Sequence, residues 1–148
     1  MYKRQGLDIH EKPYYEYRIL NHWDNLDDTV ERGYAGLSMW EWTAKEIPTE
    51  RIHHYGELCA SVGLNGAVLN NVNANPLILD KEHIERVAQI ANILREYGIT
   101  TYLSIKWTSP VTLDGLKSGD PLDPKVRQWW KNKAAEIYTA IPISAAFS

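Results

Sequence analysis

The chain predicts an α/β fold, a partial (β/α)8 TIM barrel made of about its first three βα units and left incomplete. Apolar, strand-like runs at 18–22, 65–70 and 100–106 each end in polar or aromatic side chains. Strands of that kind, separated by helices, gather their ligand groups at one end of a parallel sheet. Gly63 and Gly98, 35 residues apart, each stop a helical pattern just ahead of a strand. Helix, stop and strand therefore repeat with a period close to the roughly 31 residues of a barrel unit.

The elements follow in order. Residues 1–16 are polar and tyrosine-rich, contain Pro13 and read as a lead-in segment; 17–142 form the partial barrel and 143–148 an aberrant tail. After the strand at 18–22, residues 24–48 read as a long loop with a short strand, marked by Gly33, Gly36 and the aromatic run 39–42. A helix opens at about Thr49, its expected N-cap, and carries Ile52, Tyr55, Leu58, Cys59 and Val62 at helical spacing before Gly63 stops it. A second helix, over about 81–97, aligns Ile84, Val87, Ala88, Ala91 and Leu94, with Gly98 beyond it. The third strand is rich in β-branched and aromatic residues. A third helix begins with Asp123 as N-cap and Pro124 in its first turn, and turns Val126, Trp129, Trp130, Ala134 and Ile137 inward. The apolar tail after Pro142 stands where a fourth strand is due.

Composition narrows the function. With 148 residues, 44% hydrophobic and 24% charged, the chain is long enough for one soluble domain with a core. A net charge of −3 with scattered basic residues argues against nucleic-acid or anionic-membrane partners. No apolar run approaches the roughly 18 residues of a membrane span, and the N-terminus lacks an apolar signal core, so the expected location is the cytoplasm unless the true start lies upstream. A lone Cys59 excludes an internal disulfide and reads as a small buried residue. Six Trp and nine Tyr against one Phe favour rings with a polar handle, suited to stacking on sugars.

Candidate site residues cluster at the strand ends. His22, Trp23, Asp24 and Asn25 follow the first strand, offering a stacking ring and several hydrogen-bonding groups; in the plainer reading Trp23 caps the core and Asp24 or Asn25 caps a turn. Asn70, Asn71 and Asn73 follow the second, with uncharged donors and acceptors suited either to hydroxyl recognition or to turn chemistry. At the third, Lys106 can face a ligand carboxylate or remain a solvated lysine, and Trp107 can face a ring. Met39, Trp40 and Trp42 suit loop packing better than a stacking platform, and Trp129 and Trp130 suit the core. His53 and His54 are adjacent, point to different helix faces and make no metal pair; no cofactor is expected. No acid stands at a strand end against an apolar wall, Asp24 being the nearest to that description.

The strings Arg18-Ile-Leu-Asn-His-Trp-Asp-Asn-Leu-Asp27, Glu31-Arg-Gly-Tyr-Ala-Gly36, Gly63-Leu-Asn-Gly-Ala-Val-Leu-Asn-Asn-Val-Asn-Ala74, Tyr97-Gly-Ile99, Ser109-Pro110 and Asp120-Pro-Leu-Asp-Pro124 closely resemble the start of the catalytic barrel of glycoside hydrolase family 67, the α-glucuronidases. The resemblance runs from about residue 8 to residue 142. It implies a TIM-barrel enzyme removing 4-O-methyl-glucuronic acid from xylo-oligosaccharides by inversion, with an acid and a base spaced to admit water. It implies that Trp23 and Val72 belong to the glucuronic-acid pocket, and that His22, Asp24, Asn70 and Asn71 occupy matching positions.

The family's general acid follows its fourth strand in a Glu-Gly-Gln context and its base carboxylates come later, so no catalytic residue is expected in this chain. The tail departs from the family pattern, as a broken reading frame would. The resemblance also implies that the family's N-terminal β domain and its C-terminal helical dimerisation domain, through which full-length members form homodimers, are not expected within these 148 residues. The isolated chain is accordingly expected to be inactive and marginally stable, with an open sheet edge. Two other readings stand beside this one. The first is a non-catalytic carbohydrate-binding or structural (β/α) module, and the second is a different barrel enzyme whose acid is Asp24.

Overall fold

Small residues in the middle strand let its two neighbours close over it, and the rest of the architecture follows from that. The computed structural model describes residues 10, 12–31 and 36–141. Their elements are β1 (Ile19–Asn21), α1 (Thr49–Ser61), β2 (Gly66–Val68), a 3-10 helix (Pro76–Leu79), α2 (Lys81–Glu96), β3 (Thr100–Tyr102), α3 (Ser109–Asp114) and α4 (Pro124–Ala140). The strands form one parallel sheet in the order β1, β2, β3, in which Ile19 pairs with Gly66 and Gly66 with Thr100. A Cβ on Gly66 would lie 2.9 Å from both the Ile19 and the Tyr102 side chains, so only glycine fits there. The predicted residues 1–9 of the lead-in, the 32–35 part of the long loop and the tail 143–148 lie outside the described residues.

The strands are shorter than the predicted ranges, but the pairing reaches further. His22 N–H donates to the Val68 carbonyl at 3.1 Å and Leu69 N–H to the Tyr102 carbonyl at 3.1 Å. Below β2, the Asn65 side chain extends the ladder: its Oδ1 accepts from Arg18 N–H at 2.8 Å and its Nδ2 donates to the Glu16 carbonyl at 2.7 Å. β1 is exposed along its whole length and is an edge strand of the sheet among the described residues.

Helix α1 buries Ile52, Gly56 and Cys59. Thr49 is not its N-cap; Pro48 holds that place without a side-chain cap bond, and Thr49 is the first helical residue. Proline's restricted φ sets the entry in place of a hydroxyl. Leu58 and Val62 do not join the inward stripe, being 68% and 72% exposed. Leu58 lies two positions beyond inward-facing Gly56, about 200° round the helix at 100° per residue, and Val62 already lies past the helix as its C-cap. Gly56 fills the inward position, because the Tyr97 ring lies where its Cβ would be. The Tyr97 hydroxyl also shares a 2.9 Å hydrogen bond with His53 Nδ1.

Helix α2 starts at Asp80, whose Oδ1 accepts from His83 N–H at 2.8 Å, and buries Ile84, Val87, Ile90, Ala91 and Leu94, while Ala88 is half-buried. Burying each large aliphatic side chain contributes about 1.5–3 kcal/mol. Gly98 at φ 71° closes the helix, with Ile99 N–H returning to the Leu94 carbonyl at 3.1 Å. Two elements were not foreseen: the 3-10 helix, which Asn75 caps by accepting from Leu77 N–H at 3.0 Å, and the six-residue α3. The expected short strand in the long loop is replaced, among the described residues, by a single antiparallel bridge between Asp24 and Val30. Trp40 and Trp42 from that loop are buried in the core, and Met39 packs against it half-buried.

Helix α4 has Asp123 as its cap and Pro124 as its first residue. Only Val126 of its predicted inward stripe is fully buried; Trp129, Trp130 and Ile137 are half-covered against the core and Ala134 is half-buried. The helix has α2 and α3 as neighbours, which cover only part of its circumference. Cys59 is buried, and no described helix is long and apolar enough to cross a membrane.

Candidate functional site

Parallel strands aim their carboxyl ends the same way, so the segments after β1, β2 and β3 meet on one side of the sheet. After β2, Leu69, Asn70 and Asn71 are buried and Val72 emerges, 54% exposed. Asn70 Nδ2 donates to the Ser104 carbonyl at 3.0 Å while its Oδ1 accepts from Ser104 N–H at 2.9 Å. Its amide thereby stands in for the next rung between β2 and β3.

Asn71 bonds in three directions. Its backbone N–H donates to the Asp24 carbonyl at 2.8 Å, its Nδ2 donates to Asn25 Oδ1 at 2.9 Å and to the Glu31 carboxylate, and its Oδ1 accepts from Asn73 N–H at 2.9 Å. The last bond closes a tight turn of the kind asparagine favours. Asn73 Nδ2 reaches both oxygens of Glu31, at 2.9 and 3.0 Å. Val72 stands at the crest between these two anchored asparagines.

Beside the crest lies an open cleft of about 350 Å³ lined by Val72, Asn73, Ala74, Ile105, Lys106 and Trp107. Trp107 is 66% exposed and meets Trp130 edge-on, ring centroids 6.0 Å apart. Trp130 in turn meets Trp129, whose Nε1 donates to the Asp114 carboxylate.

Behind the crest, the end of β1 feeds a buried polar and aromatic group. Asp24 Oδ2 accepts from the Ser38 hydroxyl at 2.7 Å and from Met39 N–H at 3.3 Å, and its Oδ1 lies 3.7 Å from His22 Nδ1. His22 Nε2 shares a 2.8 Å hydrogen bond with the Tyr55 hydroxyl, and the rings of His22, Trp40 and Tyr55 contact one another edge-on. Burial pushes the Tyr55 phenol well above its ordinary value, helped by the neighbouring Cys59 thiol and Asp24 carboxylate. Nearer the surface, the Thr29 hydroxyl and N–H hold the Asp27 carboxyl below the usual carboxylate range.

The predicted residues thus fall into layers. Val72 and Lys106 line the cleft, Asn70 and Asn71 are buried beneath its crest, and His22 and Asp24 stand in the layer behind. Trp23 is half-buried, and its carbonyl accepts from Glu31 N–H at 3.0 Å. Glu31, Ser38 and Tyr55 belong to the same arrangement but were not singled out from sequence. Tyr55 carried a helical-stripe signal only, and Glu31 lies 40 residues from its Asn71 partner, beyond any local pattern. Among the described residues no group of three or more His, Cys, Asp or Glu is arranged to hold a metal ion. The cleft offers a cation, an exposed ring, an amide and an aliphatic wall, groups whose chemistry suits binding and orienting a polar ligand. None of its lining residues is a carboxylate able to transfer a proton.

Comparison with known proteins agrees with this architecture. The family described as "Glycosyl hydrolase family 67 middle domain" matches residues 2–148. "Probable alpha-glucuronidase A" of Aspergillus terreus is 41% identical over 143 residues, covering 96% of this chain and 17% of that protein. "Alpha-glucuronidase A" of Emericella nidulans is 43% identical over 136 residues, and that of Aspergillus tubingensis 40% over 139, covering 88% and 91% of this chain and 16% of each relative. The chain therefore spans 16–17% of the length of these curated relatives. With its parallel sheet, its strand-end cleft and a family match along nearly the whole sequence, the chain belongs to glycosyl hydrolase family 67, within that family's middle domain.

Proposed function

We propose that the chain is the opening portion of an α-glucuronidase barrel, about the first three βα units of a (β/α)8 TIM barrel, and that it supplies part of the wall of the sugar pocket. The observation that carries this is the cleft at the carboxyl ends of three parallel strands, lined by Val72 and Lys106, in a chain 41% identical to an α-glucuronidase A. The substrate is a xylo-oligosaccharide bearing (4-O-methyl)-glucuronic acid, cleaved with inversion by the whole protein. Trp23 and Val72 shape the glucuronic-acid pocket and Lys106 faces the ligand carboxylate. His22, Asp24, Asn70 and Asn71 hold these groups in place. In the whole protein the acid and base come from other segments, and the homodimer forms through another domain.

Calorimetric titration of the purified chain with aldotetraouronic acid, alongside an assay for released glucuronic acid, tests the reading. Binding without release is expected. Release above an empty-vector control would show that the chain carries its own proton-transfer groups, and absence of binding would remove the pocket.

A further inference from the structure

Glu31 ties together the two stretches that carry Trp23 and Val72. After β1 the chain folds back on itself: Asp24 and Val30 form an antiparallel bridge, and Asn25 N–H donates to the Thr29 carbonyl at 2.8 Å. This return brings Glu31 N–H to the Trp23 carbonyl at 3.0 Å. The Glu31 carboxylate then reaches the turn after β2, where it accepts from Asn71 Nδ2 and, at 2.9 and 3.0 Å, from Asn73 Nδ2. Val72 sits between those two asparagines and turns its side chain into the cleft.

The chemistry of the contact is specific. The Asn71 amide cannot reverse without losing the Asn73 N–H bond to its Oδ1, so it presents only donors to Glu31. An ionised carboxylate presents only acceptors, and its hydrogen bonds are roughly twice as strong as those between neutral groups. A glutamine in the same place would turn an NH2 toward a donor.

We propose that Glu31 is a positioning residue of the sugar site, its carboxylate fixing the turn that presents Val72 while its backbone fixes that turn relative to Trp23. This rests on reading Trp23 and Val72 as pocket residues. The test uses the full chain with Glu31→Gln and Glu31→Ala, measuring amide hydrogen exchange by NMR and titrating aldotetraouronic acid by calorimetry.

In Glu31→Ala, exchange at Asn71 and Asn73 is expected to accelerate at least roughly tenfold, the loss of one or two hydrogen bonds, with Leu69 in the sheet unchanged. Glu31→Gln should fall between alanine and the wild type, and sugar affinity should drop in the same order. Unchanged exchange in both variants overturns the proposal, as does equal acceleration at Leu69, which would indicate general loosening. Exchange needs no ligand. A wild-type chain that fails to bind sugar would therefore remove the pocket reading, while the exchange rates still decide the role of Glu31.

Discussion

The Asn70 side-chain amide and the Ser104 main chain bond to each other in both directions, at 3.0 and 2.9 Å, in a buried position at the top of the sheet. Only a group with one donor and one acceptor edge satisfies both Ser104 atoms. Asn70→Asp at pH 7 places a carboxylate against a carbonyl and is expected to cost about 3 kcal/mol. Burial raises the folded-state pKa of the new acid, so its protonated form supports the fold at low pH and that support is lost as pH rises. Urea denaturation at pH 7 and pH 4 should show the deficit relative to wild type shrinking in acid. An equal deficit at both values would mean that the reciprocal pairing is not what stabilises this site.

Gly56 and Tyr97 make a second discriminating pair. A glycine to alanine change in a helix interior ordinarily stabilises by about 1 kcal/mol. Here the added methyl would collide with the Tyr97 ring, so Gly56→Ala is expected to destabilise by about 1–3 kcal/mol. Combining it with Tyr97→Leu should give a smaller loss than the two single changes added together, measured by thermal denaturation. Strict additivity would show that the ring does not impose the glycine.

The buried Tyr55 phenol sets an alkaline limit. Its folded-state pKa is raised above the unfolded value near about 10, so the native state holds this proton more tightly. The associated stability is complete below about pH 10 and is lost as pH climbs toward the folded-state value. Unfolding free energies between pH 8 and 11 should fall at the upper end, and Tyr55→Phe should flatten that decline. At pH 7 the variant should lose about 1 kcal/mol with its hydrogen bond to His22. An identical alkaline decline in both proteins would sink the assignment.

Arg86 anchors the long loop from α2. Its guanidinium is buried and donates to the Ala44 carbonyl at 2.8 Å and the Glu41 carbonyl at 2.7 Å. Arg86→Met keeps the aliphatic stem and strands both carbonyls, an expected cost of about 2–3 kcal/mol. The exposed Lys45 sits just beyond the anchored residues. Trypsin should cut after Lys45 at least roughly tenfold faster in the variant, tracking the opened population. An unchanged rate would place the anchorage elsewhere, in the buried Trp40 and Trp42.

Helical periodicity made α1, α2 and α4 legible because each has at least one face packed against the core, and Gly63 and Gly98 marked two stops through the left-handed conformation they adopt at φ 76° and 71°. The strand centres were equally visible. What stayed hidden depends on distant partners. Leu58 fits an apolar pattern yet faces outward, because Tyr97 selects Gly56 for the inward position. Helix α3, six residues long, is too short to show a period. Around the cleft, strand-end position pointed to Asn70, Asn71 and Lys106, whereas Val72 was named only through the family resemblance. The same rule pointed to Asp24 without revealing that Ser38 and Met39 enclose its carboxylate.

β2 carries an asparagine just outside each end, Asn65 clasping the main chain ahead of β1 and Asn70 clasping the main chain after β3. Sliding either neighbour by one residue would break both bonds of a clasp and turn every side chain of the slipped strand to the wrong face. The two clasps act as locating pins at opposite corners of the sheet, one per neighbour. They hold the three strand tips in a single phase, so the loops above them meet any incoming molecule in the same order every time.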